Sequence, residues 1–211
     1  LHPLWQQMKT FLDKGSKWPL DALNESERKQ DIEDALAFGN HKGALQKPDL
    51  LRKLITKDVK HGYSLPIPLS SICSILGLAM APMNIMVQNT INELGRIVPK
   101  DRLMHDQSWK WSSSISINSR IQKELLQACQ YGFCIQRLIN WIIAAWRKYP
   151  GQQILASKID CKLAYHQGIL HFAMALQTAT QLPDDDLVII TLRLTFGGTP
   201  CPFEWGVMSE P

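Results

Sequence analysis

An α+β fold is predicted by three features of this sequence. They are a helical pattern over the first sixty residues, a long helical run before Pro150-Gly151, and strand-like segments in TINELGRIVPKDRLMHDQS and LVIITLRLT. Asn24 and Glu27 stand like a capping pair ahead of ESERKQDIEDALAF, and Gly39 follows the last apolar residue, which marks a short helix with a stop. Asp49, just after Pro48, precedes Leu50, Leu51, Leu54, Ile55 and Val59, a stripe of helical period that ends at Gly62. Between these two helices, GNHKGALQKP carries Asn40, His41, Lys42 and Lys47 and reads as a solvated polar linker. The organisation expected is a helical region over residues 1–62, followed by an α+β body over 63–211.

After SLPIPL the chain shows little periodicity until TINELGRIVPKDRLMHDQS, where Gly95, Pro99 and alternating basic residues predict a β-hairpin. From about Ser119 the apolar residues Ile121, Leu125, Leu126, Cys129, Phe133, Leu138, Ile139, Ile142 and Trp146 recur at three- and four-residue steps. That spacing predicts one long helix whose aromatics, Tyr131, Phe133, Trp141 and Trp146, belong to the core. QQILASKID then reads as a strand ending in an acidic residue, and CKLAYHQGIL as a tight polar-to-apolar segment. PDDD breaks the chain, LVIITLRLT alternates and is β-branched, and FGGTPCPFEW supplies a Gly-Gly turn before a helix that begins near Phe203.

At 211 residues, with 45% apolar and 20% charged side chains, the chain can bury a sizeable core and lies far from a disordered composition. The 23 Lys and Arg against 19 Asp and Glu give a net charge of +4, a mild bias toward a phosphate-bearing partner. Cys73, Cys129, Cys134, Cys161 and Cys201 are odd in number and scattered, which indicates neither a disulfide framework nor a zinc site. LHPLWQQMKTFLDK lacks the basic start and apolar core of a signal peptide, so an intracellular protein, cytoplasmic or nuclear, is expected. Residues 67 to 87 are apolar for nearly the length of a bilayer, but three serines, Asn84, Pro68 and Pro82 favour a buried, Pro-broken segment over a membrane span.

The chemistry centres on Asp160. A carboxylate at a strand end, with the small Ala164 and the aromatic Tyr165 four and five positions later, suits a divalent metal and a nucleotide. Asp184, Asp185 and Asp186 sit in a Pro-led turn and read as a solvated loop. The six histidines show no metal-ligand spacing, and no base stands beside Ser157 or Cys161.

KIDCKLAY resembles the palm segment of retrotransposon-type reverse transcriptases, in which an Asp is followed five residues later by an aromatic that excludes a ribose hydroxyl. RIVPKDRLMHDQSWKWSSSISIN is similar to the fingers hairpin of the same family, and LTFGGTPCPFEW to its glycine-containing loop and helix start. The three blocks follow the family's order and span roughly half of the chain, from about residue 95 to residue 208. The resemblance implies fingers and the N-terminal part of the palm of a right-hand RNA-directed DNA polymerase, using Mg²⁺, deoxynucleoside triphosphate and a primer-template. It implies Asp160 as catalytic metal ligand, Tyr165 as sugar selector with Ala164 beside it, and Arg102 against the base and α-phosphate. Arg96 and Lys100 would serve the outer phosphates. Phe196, Gly197 and Pro202 would border the pocket, with Gly197 letting backbone approach the ligand, while Asp106 and Asn118 would be structural. Leu163, His166 and Gln167 depart from the family's usual residues. Its Asp-Asp pair would fall beyond Pro211, so the chain alone is expected to be inactive. The other reading is a non-catalytic nucleic-acid-binding or interaction module served by the basic hairpin and the long helix.

Overall fold

A computed structural model describes residues 4–126, 133–155, 161 and 163–209. The fold mixes helix and antiparallel sheet. Four helices come first: α1 (Trp5–Lys14), α2 (Glu25–Phe38), the single turn α3 (Lys42–Leu45) and α4 (Pro48–Lys60). The strands β1 (Ser64–Pro68), β2 (Met83–Ile91) and β3 (Ile97–His105) follow, then α5 (Cys134–Lys148) and the short α6 (Phe172–Ala175). β4 (Ala179–Leu182), β5 (Leu187–Thr191) and α7 (Cys201–Ser209) close the chain. No helix among the described residues is long and apolar enough to cross a membrane.

β5 is the middle strand of the sheet β1-β5-β4, antiparallel to both neighbours, with Ile189 opposite Pro66 on one side and Thr180 on the other. Its side chains alternate between two cores, as the two-residue period of a strand requires. Val188 and Ile190 pack with Phe11, Trp18, Leu78 and Leu194, whereas Ile189 packs with Leu51, Ile55, Met83 and Leu182. A strand covered on both faces reads as a continuous apolar run, and LVII is one. The helices of the first sixty residues lie in these same two cores.

The capping reading holds at α2. Asn24 accepts from the Glu27 amide at 2.9 Å, and Glu27 returns a bond to the Asn24 amide at 3.3 Å. Pro48 opens α4, where a missing N–H costs nothing, and Gly62 with φ 68° follows its end. The apolar stretch 67–87 is a broken, partly buried path through β1, a 3-10 turn and the start of β2. The helix expected near Phe203 begins two residues earlier, at Cys201.

Two readings are corrected. The linker GNHKGALQKP is an ordered brace. Asn40 is buried, its Nδ2 donating to the Gln181 carbonyl at 2.8 Å and its Oδ1 accepting from the Met83 amide at 2.7 Å, while Ala44 is fully enclosed. Polar side chains become core components when they satisfy backbone that the strands leave open, and composition does not reveal that. The long helix from Ser119 is also not continuous: 3-10 turns at Asn118–Arg120 and Lys123–Leu125 precede α5. None of α5's side chains is buried, and Ile135 and Trp146 are 72% and 67% exposed, so its apolar face is not core. Helical spacing identifies an apolar face without identifying what covers it. Gln152–Leu155, the start of the expected strand, is not strand, and its remainder, with Tyr131 and Cys129 of the long run, lies outside the described residues.

Asn40→Ala is expected to cost about 2–4 kcal/mol in urea unfolding, because it orphans a buried amide and a buried carbonyl together. A loss below about 0.5 kcal/mol, the range of an ordinary surface substitution, would mean that the brace is dispensable.

Candidate functional site

β2 and β3 form a two-stranded hairpin in which Lys100 faces Gln88 and Arg102 faces Met86. The tip is closed by Asn92, whose Oδ1 accepts from the amides of Leu94 and Arg96 at 3.0 and 2.9 Å. Alternation puts Lys100 and Arg102 on one face and Asp101 on the other. Asp101 is taken by Lys47 at 2.5 Å, from the segment before α4. The cations across the strand are not paired in this way: among the described residues Arg96, Lys100 and Arg102 have no carboxylate partner.

Arg102 meets the other two blocks at the base of the hairpin. Its guanidinium lies 5.8 Å from the centre of the Phe196 ring, and its buried Nε makes no hydrogen bond among the described residues. Phe196 in turn stands 4.8 Å from Tyr165, edge to face. Tyr165 occupies the 3-10 turn Ala164–Gln167, which begins after Leu163 in the left-handed region at φ 55°. Ala164 is half-buried beside the ring. The hairpin base, the turn at Tyr165 and the glycine-containing loop therefore meet at Arg102, Tyr165 and Phe196. Lys100 is two residues from Arg102 on the same face. Arg96 is at the hairpin tip, six residues or roughly 20 Å along the strand, and does not join them. Asp160 lies outside the described residues. Pro202 is exposed in the first turn of α7.

The contact is held by a backbone clamp. The His105 amide donates to the Phe196 carbonyl at 3.1 Å, and Asn118 reaches across to the next residues. Its Nδ2 donates to the Gly197 carbonyl at 2.7 Å and to Ser108 Oγ at 2.9 Å, and its Oδ1 accepts from the Thr199 amide at 2.8 Å. Gly197 has φ 125°, and the His105 carbonyl occupies the place of a side chain. Packing within the chain thus already accounts for this glycine, without a ligand's approach. Asp106 serves the same turn: its Oδ1 accepts from the Ser108 amide at 3.2 Å, and its Oδ2 lies 3.0 Å from His41 Nε2.

Sequence reasoning puts His41 in a solvated linker and gives His105 and Gln107 no role. The last is fully buried, its Nε2 donating to Thr195 Oγ1 at 3.0 Å. The one available signal was a polar run, HDQS, directly after a strand. His105 is enclosed behind the site, and burial, helped by the charge of His166, pushes its pKa down to about 4. Burial also lowers His166, against the opposing pull of Asp58. Cys201 is pushed up to about 12 by burial, which keeps it a thiol.

Among the described residues no group of three or more His, Cys, Asp or Glu side chains could hold a metal ion. The described residues alone do not fit a Mg²⁺ site. What the arrangement offers is cationic and aromatic: a guanidinium with a free donor, two rings, and an unpaired lysine. Such a surface suits a phosphate beside a flat base or sugar. The chain matches no protein-family model, no curated protein and no solved structure.

Two outcomes test this geometry. Gly197→Ala should destabilise the fold by about 2–4 kcal/mol, since a side chain there is both strained and in collision with backbone. A wild-type melting temperature would refute the clamp. His105 is neutral when folded and protonatable when unfolded, so the unfolded chain binds more protons below its ordinary value of 6.5. Stability should be fully present above pH 6.5 and fall toward pH 4, with His105 contributing on the order of 3 kcal/mol across that window. His105→Gln should flatten the decline; an unchanged slope would contradict the assignment.

Proposed function

We propose that this chain comprises the fingers and N-terminal palm portion of an RNA-directed DNA polymerase and binds a deoxynucleoside triphosphate at the base of its hairpin. The observation that supports this reading is the meeting of Arg102, Tyr165 and Phe196, drawn from three segments that resemble reverse transcriptases and that lie up to 94 residues apart in sequence (196 − 102). Arg102 and Lys100 supply charge for phosphates, and the rings of Tyr165 and Phe196 supply the apolar wall against which a sugar and base pack. Tyr165 selects the sugar by excluding a 2′-hydroxyl. Arg96, at the tip, is assigned to nucleic-acid backbone instead of the same triphosphate.

A labelled dTTP titrated against the chain in the presence of Mg²⁺ tests this directly. Binding should weaken about tenfold or more in Arg102→Ala, a few-fold in Lys100→Ala and not at all in Arg96→Ala. Tyr165→Ala should erase the preference for dTTP over UTP. Equal binding by wild type and Arg102→Ala would overturn the site.

Polymerisation is a separate matter, because the resemblance puts two of the three metal carboxylates after position 211. Primer extension with Mg²⁺ or Mn²⁺ by the 211-residue chain is expected to give no templated product. Incorporation abolished by Asp160→Asn would contradict that expectation.

A second reading, a non-catalytic nucleic-acid-binding module, is favoured by Arg96 and Lys100, exposed on one hairpin and without a carboxylate partner among the described residues. It predicts affinity for a duplex that falls steeply with salt and whose salt dependence shrinks in Arg96→Ala. A salt-independent affinity would exclude it.

A further inference from the structure

A cavity of about 230 Å³ lies between the start of α2, the loop from Leu76 to Ala79 and the residues that follow α6. Leu23, Leu78, Met174 and Leu176 give it aliphatic walls. Arg28, Arg120 and Gln177 are the polar residues of the lining, which includes no carboxylate.

The two arginines are in different electrostatic states. Arg28 is neutralised by Glu25, its Nε and Nη2 donating to the two carboxylate oxygens at 2.8 and 2.6 Å. Arg120, 6% exposed, forms no ion pair among the described residues. Its Nη1 donates to the Asp21 carbonyl at 3.0 Å and its Nη2 to Gln177 Oε1 at 2.6 Å, both neutral acceptors that leave the positive charge uncompensated. The carboxylates whose charge reaches it are engaged elsewhere. Asp31 accepts from the Ser113 hydroxyl and amide at 2.8 and 3.3 Å, and Asp21 from Gln122 Nε2 at 2.6 Å. A buried cation without a contacting anion is costly, and an anion that enters beside it is correspondingly favoured.

We propose that this cavity binds a small organic monocarboxylate, its carboxylate on Arg120 and its apolar body against Leu23, Leu78 and Met174. The planar fork of a guanidinium matches a carboxylate. Because Glu25 already cancels Arg28, one negative charge suffices. An apolar cavity of about 150 Å³ holds benzene, so about 230 Å³ has room for a ring or short chain together with its carboxylate. The site shares none of Arg102, Tyr165 or Phe196 and does not depend on the nucleotide reading.

Benzoate serves as the probe and benzyl alcohol as its uncharged counterpart, each titrated into the full chain by calorimetry. The proposal expects saturable benzoate binding at least tenfold tighter than that of benzyl alcohol. It also expects at least a tenfold loss in Arg120→Met and in Ala22→Trp, which fills the cavity from the exposed rim. Should Arg120→Met fail to fold, the rim variant decides location and benzyl alcohol decides charge. Absence of saturable benzoate binding, equal binding of the two probes, or benzoate binding that survives Ala22→Trp would each overturn it. Inorganic phosphate competing as well as benzoate would also overturn it, by showing an anion site without an apolar component.

Discussion

Burial of β5 on both faces is the constraint around which this molecule is arranged. A strand with Val188 and Ile190 on one side and Ile189 on the other needs two separate apolar layers, and the chain supplies them from distant segments. α1 and α2 close one layer, α4 and the start of β2 the other. Neighbouring strands β1 and β4 satisfy its backbone. The polar brace at Asn40 belongs to the same solution, since it ties the end of β4, through the Gln181 carbonyl, to the first residue of the hairpin.

That arrangement fixes the site. The chain leaving β5 is half-buried at Leu192 and Arg193, buried at Leu194 and Thr195, and emerges at Phe196, where the His105 amide and Asn118 capture it. The hairpin base and the exit of the central strand are thereby joined. Tyr165 is brought to the same place from the other direction, because Gly168 and Leu170 bond to the strand's continuation at Leu192 and Leu194. The cation and the two rings are positioned by backbone hydrogen bonds and glycine packing, so the site is a consequence of the core rather than a decoration on it.

Much of this was legible beforehand. The capping box of α2, the stripe of α4, the hairpin and the β-branched run of β5 each carry a local signal, and the structure honours them. What failed were judgements about surroundings. GNHKGALQKP has a loop's composition and a core residue's role at Asn40. The face of α5 has a core's periodicity and is exposed at Trp141 and Trp146. Neither distinction exists in the local pattern, because both depend on what the rest of the chain brings alongside. The candidate site was half legible: Arg102, Tyr165, Phe196 and Gly197 stand in the segments that carry the resemblance, while the polar run HDQS contains His105 and Gln107 without showing that both are buried. The resemblance implies Gly197 for an approach to ligand, whereas its packing against the His105 carbonyl already requires a glycine.

The function proposed for this chain requires the three segments to form a single nucleotide site. Photocrosslinking with 8-azido-dATP followed by peptide mapping addresses it most directly. A single site should put label on the peptides that carry Arg102, Tyr165 and Phe196, with unlabelled dATP competing it away. Label confined to α5, or spread evenly over the basic surface without competition, would contradict it.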